Sequence, residues 1–405
     1  MSRLSGDVLA GPLHGIRVLD ASRILTGPFC SMILGDLGAE IIKIERPGSG
    51  DDTRQWGPPF IGSESAYFLS VNRNKKSVTL NLESDKGKEI FLALAEKSDV
   101  LLENFRPGVA SRLGIDYPTI SKKNARLIYC SITGFGQTGR YRDRAGYDIV
   151  SQGMGGLMGV TGEPDRPPVR VGVAMSDIGA GMYAATAILS ALLARERSGQ
   201  GQFVDVALFD STISWMTYMA GYYFATGHAP KRSGSAHPTI VPYQCFRTSD
   251  ENYLTIAVGN DKLFRNLCKA LGREGLATDP RFRNNSQRII HRDELVTTIE
   301  EIFLTKTRDE WIRILIAADV PTGPVYSMNE LFNDPQVKDR EMLQEFEHPR
   351  FGKIRQIGIP MKFSVNQPEI KSLPPVLGEH TSEVLQTLLG YSDESLRHLK
   401  EEGVT

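Results

Sequence analysis

A chain of 405 residues is too long for a single hydrophobic core and about right for two domains. Its 47 basic and 48 acidic residues nearly cancel, so no global field favours nucleic acid or an anionic membrane, and the 40% hydrophobic content is that of an ordinary globular protein. No apolar run approaches a membrane span, and Cys30, Cys130, Cys245 and Cys268 form no CxxC, which reads as free thiols and argues against a zinc site. From Gly15 onward, short apolar runs alternate with helical patterns. Strands are predicted at Ile16–Leu19, Glu40–Glu45, Ser77–Leu80, Val100–Glu103, Leu127–Ile132 and Gln202–Val206. Helices are predicted at Pro28–Leu37, Asp85–Lys97, Tyr117–Asn124 and Ile178–Arg197. Such alternation specifies an α/β fold with a mostly parallel sheet, in which ligands bind beyond the carboxyl ends of the strands. Those ends (Asp20 to Arg23, Glu45 to Gly48, Asn104 to Pro107, Thr133 to Gly136) are polar, Gly-rich and basic, which together suit a negatively charged ligand.

Gly134 to Gly139 spells G-x-G-x-x-G after a good strand. The residues that follow, Arg140 to Arg144, have no helical apolar face, so the nicotinamide-site reading fails for want of a helix N-terminus. The strongest helix signal lies within Val169 to Asp210. Ser176 and Asp177 stand as capping residues, a long Ala/Ile/Leu/Met run follows, Arg195 and Arg197 occupy the last turn, and Gly199 and Gly201 end it. Gly179, Ala180 and Gly181 in the first turn leave room for something large to approach the backbone. Asp177 then reads in two ways: as an N-cap, or as a carboxylate kept ionised by the helix dipole and available as a nucleophile. Beyond an aromatic and Met-rich stretch from Ile213 to Ala225, the Gly/Pro/Ser-rich Gly227 to Pro242 marks a domain connection. A second unit follows, with a strand at Tyr253–Val258 and helices at Lys262–Leu271, Asp293–Phe303 and Asp309–Ala317. Val320 to Pro324 breaks that pattern. Extended segments at Gln344–His348 and Lys353–Phe363 and helices at Thr381–Leu389 and Asp393–Glu402 close the chain.

Several stretches, in order, carry a resemblance. They are GIRVLDASRILTGPFCSMILGDLGAEIIKIERPGSGDDTR, NRNKKSVTLNL, LLENFRPG, SITGFGQTG, RAGYDIVSQGMGG, GQGQFVDVALFD, AHPTIVPYQCF and PPVLGEHTSEVL. Nearly end to end, the chain resembles the class III CoA-transferases. The resemblance implies a Rossmann-like large domain built from both chain ends plus a small α+β middle domain, in an interlocked homodimer. On this chain that corresponds to a large domain over 1-226, a small domain with linkers over 227-340, and a return segment over 341-405. It also implies transfer of CoA from succinyl-CoA to a dicarboxylic acid such as glutarate, as in mitochondrial members, with Asp177 as the catalytic carboxylate. CoA enters as a substrate, with no permanently bound cofactor and no metal. CoA contacts are implied at Arg46, Lys75, Leu80, Asn104, Phe105 and Arg112.

Where formyl-CoA transferase carries a glutamine, this chain has Leu25, and the flap reads Ser235 to Thr239 in place of a glycine-rich run. The start, MSRLSGDVLAGPLHG, shows neither a secretory h-region nor an Arg-rich presequence. Mitochondrial residence therefore implies a targeting segment already removed, and the alternative is the cytoplasm. The expected chemistry is acyl exchange through an aspartyl anhydride and an aspartyl-CoA thioester. Remote CoA binding energy would hold the reacting carbonyl against Asp177, and the Gly179–Gly181 backbone would receive oxyanion charge. The far carboxylate of a dicarboxylate needs a cation or several donors, and Arg23, Arg170 and His237 are the candidates. Two rivals bracket this reading. An alpha-methylacyl-CoA racemase needs a second base, and where that enzyme has a His-Asp pair this chain has Tyr147-Asp148; a non-catalytic acyl-CoA carrier needs no ionised Asp177.

Overall fold

The structure, a computed structural model, describes residues 11–405, so the stretch read for targeting signals begins outside the described residues. Six strands form one sheet: β1 (Arg17–Asp20), β2 (Glu40–Glu45), β3 (Lys75–Thr79), β4 (Val100–Glu103), β5 (Ile128–Thr133) and β6 (Phe203–Ala207). Their order is β3-β2-β1-β4-β5-β6, and every neighbouring pair is parallel. Successive residues face opposite cores. Val18, Ile41 and Leu102 join one apolar cluster, while Leu19, Ile42 and Leu101 join the other. Both faces are covered, which is why these strands read in the sequence as unbroken apolar runs.

One face is covered by helix α1 (Thr26–Asp36) and the 24-residue helix Met175–Ser198. The other is covered by helix α2 (Asp85–Glu96) and by the chain's last helices, Thr381–Leu389 and Asp393–Glu401, whose Val384, Leu385, Leu396 and Leu399 pack with Val78 and Phe91. The carboxyl end of the chain thus completes the core begun by the amino end. The architecture is the expected α/β class with a large parallel sheet.

The chain divides into two compact units. The first runs through Leu157 and takes in Arg170–Gly221 and Lys338–Thr405; the second is Met158–Val169 with Tyr222–Val337. The sequence places the small domain at 227-340, whereas the second unit spans Tyr222–Val337 and also includes the Pro/Gly-rich strip Met158–Val169, which has no apolar period to mark it. Within the second unit a three-stranded antiparallel sheet has Tyr253–Ala257 between Tyr243–Arg247 and Thr322–Pro324. Helices Asp261–Ala270, Arg292–Phe303 and Arg308–Ala317 enclose Phe246, Leu254, Phe264, Phe303 and Trp311. The break read at Val320 to Pro324 contains an edge strand, Thr322–Pro324, a place in a sheet where proline is accepted.

Two expectations about the long helix need correction. It opens at Met175, with Ala174 at the N-cap and no side-chain cap bond, so neither Ser176 nor Asp177 caps it. It is also long and apolar enough, by length and composition, to cross a membrane. Here its Ala180, Ala184, Ile188 and Leu192 pack into the sheet core, and a helix that supplies a core face has that composition without any membrane.

Candidate active site

With strand order 3-2-1-4, the loops after β1 and β4 diverge, and a crevice opens between them at the carboxyl ends. The Asn104 side chain spans it. Its Oδ1 accepts from the Arg23 N–H at 2.8 Å and its Nδ2 donates to the Arg23 carbonyl at 2.7 Å. Asn104, nominated for CoA contact, is therefore committed to holding the β1 loop.

A cleft of about 140 Å³ lies beyond this clamp, and Asp177 lines it together with Arg23, Thr26, Phe105, Arg106 and Arg144. Three guanidiniums and one carboxylate at a single opening suit an anionic ligand. Of these, Arg106 and Arg144 were not nominated as site residues. Both sit in quoted motifs, Arg106 in the turn that follows β4 and Arg144 at the start of RAGYD, and those motifs were the available signal.

Asp177 is partly buried, and the Thr26 hydroxyl donates to its Oδ1. Burial pushes its carboxyl up to about 6, with the Thr26 hydrogen bond acting to lower it and the nearby Asp148 charge to raise it. The expectation that the helix dipole simply keeps Asp177 ionised is corrected: desolvation outweighs it. The carboxylate is the main form above about pH 6, poised rather than inert. Capping falls instead to Asp148, at the start of helix α3 (Asp148–Met154), whose Oδ1 accepts from the Ser176 N–H at 2.9 Å. Its Oδ2 accepts from Gln152 Nε2 at 2.8 Å, and Gln152 Oε1 accepts from the Val171 N–H at 2.9 Å. Asp148 is thus engaged on both oxygens, and the residue beside it, where the racemase reading needs a histidine as second base, is Tyr147, a poor base at neutral pH.

The small residues after Asp177 serve packing. A Cβ on Gly179 would fall 1.7 Å from Trp215 Cζ2, and one on Gly181 would fall 2.8 Å from the Thr26 carbonyl oxygen. What approaches this backbone is Trp215 and α1, not a ligand. Their N–H groups lie inside the helix ladder, so the oxyanion role expected of them is withdrawn.

A second, wider cleft of about 580 Å³ lies on the β2–β3 side and is lined by Arg46, Leu80, Phe105 and Arg112 among others. Arg23 and Phe105 line both clefts. Arg46 and Arg23 are each paired with Asp52, at 3.0 and 3.1 Å, and their side chains remain well exposed. Lys75 does not join them. Its side chain is fully buried, and its ammonium donates to the Pro28 carbonyl at 2.8 Å and to Asn72 Oδ1 at 2.9 Å. Burial pulls that ammonium down to about 7, and a CoA contact through it is withdrawn because it faces inward. Arg170 is exposed and turns its guanidinium to its own chain, on the Val171 and Gly172 carbonyls. His237 belongs to the second unit, where its Nδ1 accepts from the Thr239 N–H at 3.1 Å; burial and the neighbouring Arg292 hold its imidazole below the usual value.

The family described as CoA-transferase family III matches residues 13–381. The chain belongs to that family. It is a class III CoA-transferase, as its overall resemblance implied. A human succinyl-CoA:glutarate CoA-transferase is 42% identical over 393 residues, covering 97% of this chain and 90% of the relative. An acetyl-CoA:oxalate CoA-transferase from Acetobacter aceti is 44% identical over 355 residues, covering 87% of this chain and 90% of the relative. A solved CAIB/BAIF family protein from Brucella suis superposes with a TM-score of 0.84 at 43% identity, covering 94% of this chain and all of the other.

Proposed function

We propose that this family member transfers CoA from succinyl-CoA to a dicarboxylic acid such as glutarate, with Asp177 as the acyl-accepting nucleophile. The observation that carries the reading is a desolvated carboxylate opening on a small cleft with three arginines. Asp177 attacks the succinyl carbonyl and gives a mixed anhydride and CoA thiolate. The thiolate attacks the aspartyl carbonyl, leaving aspartyl-CoA thioester and succinate. The acceptor carboxylate attacks that thioester, and the thiolate finally takes the new acyl group. Neither a metal nor a redox cofactor enters this sequence. The wider cleft, with Arg46 and Arg112 at its edge, suits the phosphates of CoA, while Arg106, Arg144 or Arg23 suits the far carboxylate of the acid.

A homodimer belongs to the same reading. Tyr147, Ile149, Met182 and Leu193 are large apolar side chains left more than half exposed, or nearly so, on the first unit, and a second copy is the occupant we assign to them. Light scattering on the purified chain tests this, with a monomer as the refuting result. Mitochondrial residence goes with the resemblance and is tested by fractionating cells that express the full-length protein.

The acceptor is tested by a screen with succinyl-CoA as donor. Glutarate is expected to outperform a monocarboxylate of equal length, and Arg144→Ala to raise KM for glutarate more than for that monocarboxylate. Equal effects on both acids would remove Arg144 as a reader of the far charge.

A further inference from the structure

Resting on the assignment of Asp177 as nucleophile, we propose that Thr26 is a second catalytic residue. Its hydroxyl donates to Asp177 Oδ1, the oxygen that stays on the aspartyl carbon throughout the cycle, and stabilises the negative charge that develops there.

The chemistry follows the atoms. Oδ2, left outside the Thr26 bond, attacks the succinyl carbonyl carbon, and the C–S bond breaks to release CoA thiolate. When the thiolate then attacks the aspartyl carbon, a C–S bond forms and the carbonyl π pair moves to Oδ1. Collapse breaks the bond from the aspartyl carbon to Oδ2, which departs within succinate. Attack by the acceptor carboxylate repeats the charge on Oδ1 before thiolate leaves. Thr26 keeps its proton in every step, and no further reactant is required. With the Gly179–Gly181 backbone occupied by the helix ladder, the Thr26 hydroxyl is a donor already in place on the oxygen concerned.

The surroundings hold this hydroxyl with care. Gly181 lies one helical turn after Asp177, and its missing side chain lets the helix touch the Thr26 carbonyl oxygen while Asp177 takes the hydroxyl. Gly27 is needed on the other side, since a Cβ there would fall 2.2 Å from Ser22 Cβ. The preceding turn is gripped at several backbone polar groups. Lys43 Nζ donates to the Ser22 carbonyl at 2.9 Å, Asn104 takes both backbone groups of Arg23, and Asp51 accepts from the Ile24 N–H at 3.2 Å. Ile24 has φ 70°, a left-handed conformation that a β-branched residue adopts only under constraint. Strain of this kind one residue before Leu25 and Thr26 is what a turn built to aim a side chain shows. Lys43 and Asp51, paired at 2.9 Å and fully buried, are positioning residues in this arrangement.

The test is Thr26→Val, which keeps shape and removes the donor, beside Thr26→Ser, which keeps the donor; Thr26→Ala replaces the valine variant should it fail to melt cooperatively. The hydroxyl-free variant is expected to lose about 10²–10³-fold in kcat with KM for succinyl-CoA nearly unchanged. It should release CoA in a first burst while succinate release lags, and the acid limb of its pH profile should move up, because the lost hydrogen bond is one that lowers the Asp177 carboxyl. Thr26→Ser should restore most of the rate and the profile. Wild-type kcat and an unmoved acid limb in the hydroxyl-free variant would overturn the proposal, as would a lost rate that serine does not restore. Hydroxylamine trapping separates the two layers. No hydroxamate on the Asp177 peptide of the wild type sinks the nucleophile assignment itself, whereas normal labelling with normal turnover in Thr26→Val sinks Thr26 alone.

Discussion

The two clefts of the first unit share Arg23 and Phe105 yet are built on different principles. In the wide one, Arg46 stands more than half exposed and is held by Asp52, a pairing that water screens and a phosphate can replace. At the narrow one, Asp177 is desolvated and the side chains around it are tied: Asp177 to Thr26, Asn104 to Arg23, and Asp148 to the helix start. The contrast teaches that anchoring a long polyanionic ligand tolerates mobile charge. Directing an acyl group onto one carboxylate oxygen requires side chains that cannot move.

The harshest way to break this contrast is Asp177→Asn. Loss of the nucleophile should reduce turnover by several orders of magnitude while succinyl-CoA binding persists. The melting temperature should rise, because the folded state disfavours a carboxylate whose ionisation is pushed up to about 6. A cap would behave oppositely, losing about 0.5–2 kcal/mol of stability and little activity. Next comes Asp51→Ala, which strands the buried Lys43 ammonium and should cost about 3–5 kcal/mol in denaturant unfolding. An unchanged midpoint would mean that the pair does not hold the β1 loop. Arg46→Ala should be milder, raising KM for the CoA ester by roughly tenfold, about 1.5 kcal/mol, with the fold intact. An unchanged KM would detach the wide cleft from CoA. The gentlest probe is pH. Activity should fall as pH drops through about 6, since the protonated Asp177 cannot attack, and a profile flat down to pH 5 would contradict the desolvated carboxylate.

Local chemistry made much of this legible in the chain. Short β-branched runs bounded by turns placed all six parallel strands within a residue or two, because burial on both faces leaves an unbroken apolar mark. The carboxylate at the start of the long apolar helix drew attention to Asp177 without choosing between cap and nucleophile, strand-end basic residues pointed to Arg23 and Arg46, and the family resemblance added Arg112 at the wider cleft. What the residues could not disclose was direction and partnership across distance. Lys75 looks like any strand lysine until the fold turns it inward onto Pro28 and Asn72, and Gly179 and Gly181 look like a ligand surface until Trp215 and α1 arrive. Asp148 takes over the cap that Asp177 seemed to provide, 29 residues earlier in the chain. Thr26 meets Asp177 across 151 residues. Periodicity and capping are encoded within a few residues of each other, so sequence alone determines them. Which hydroxyl reaches which carboxylate depends on how two helices cross over a sheet, and only the packed tertiary structure decides that.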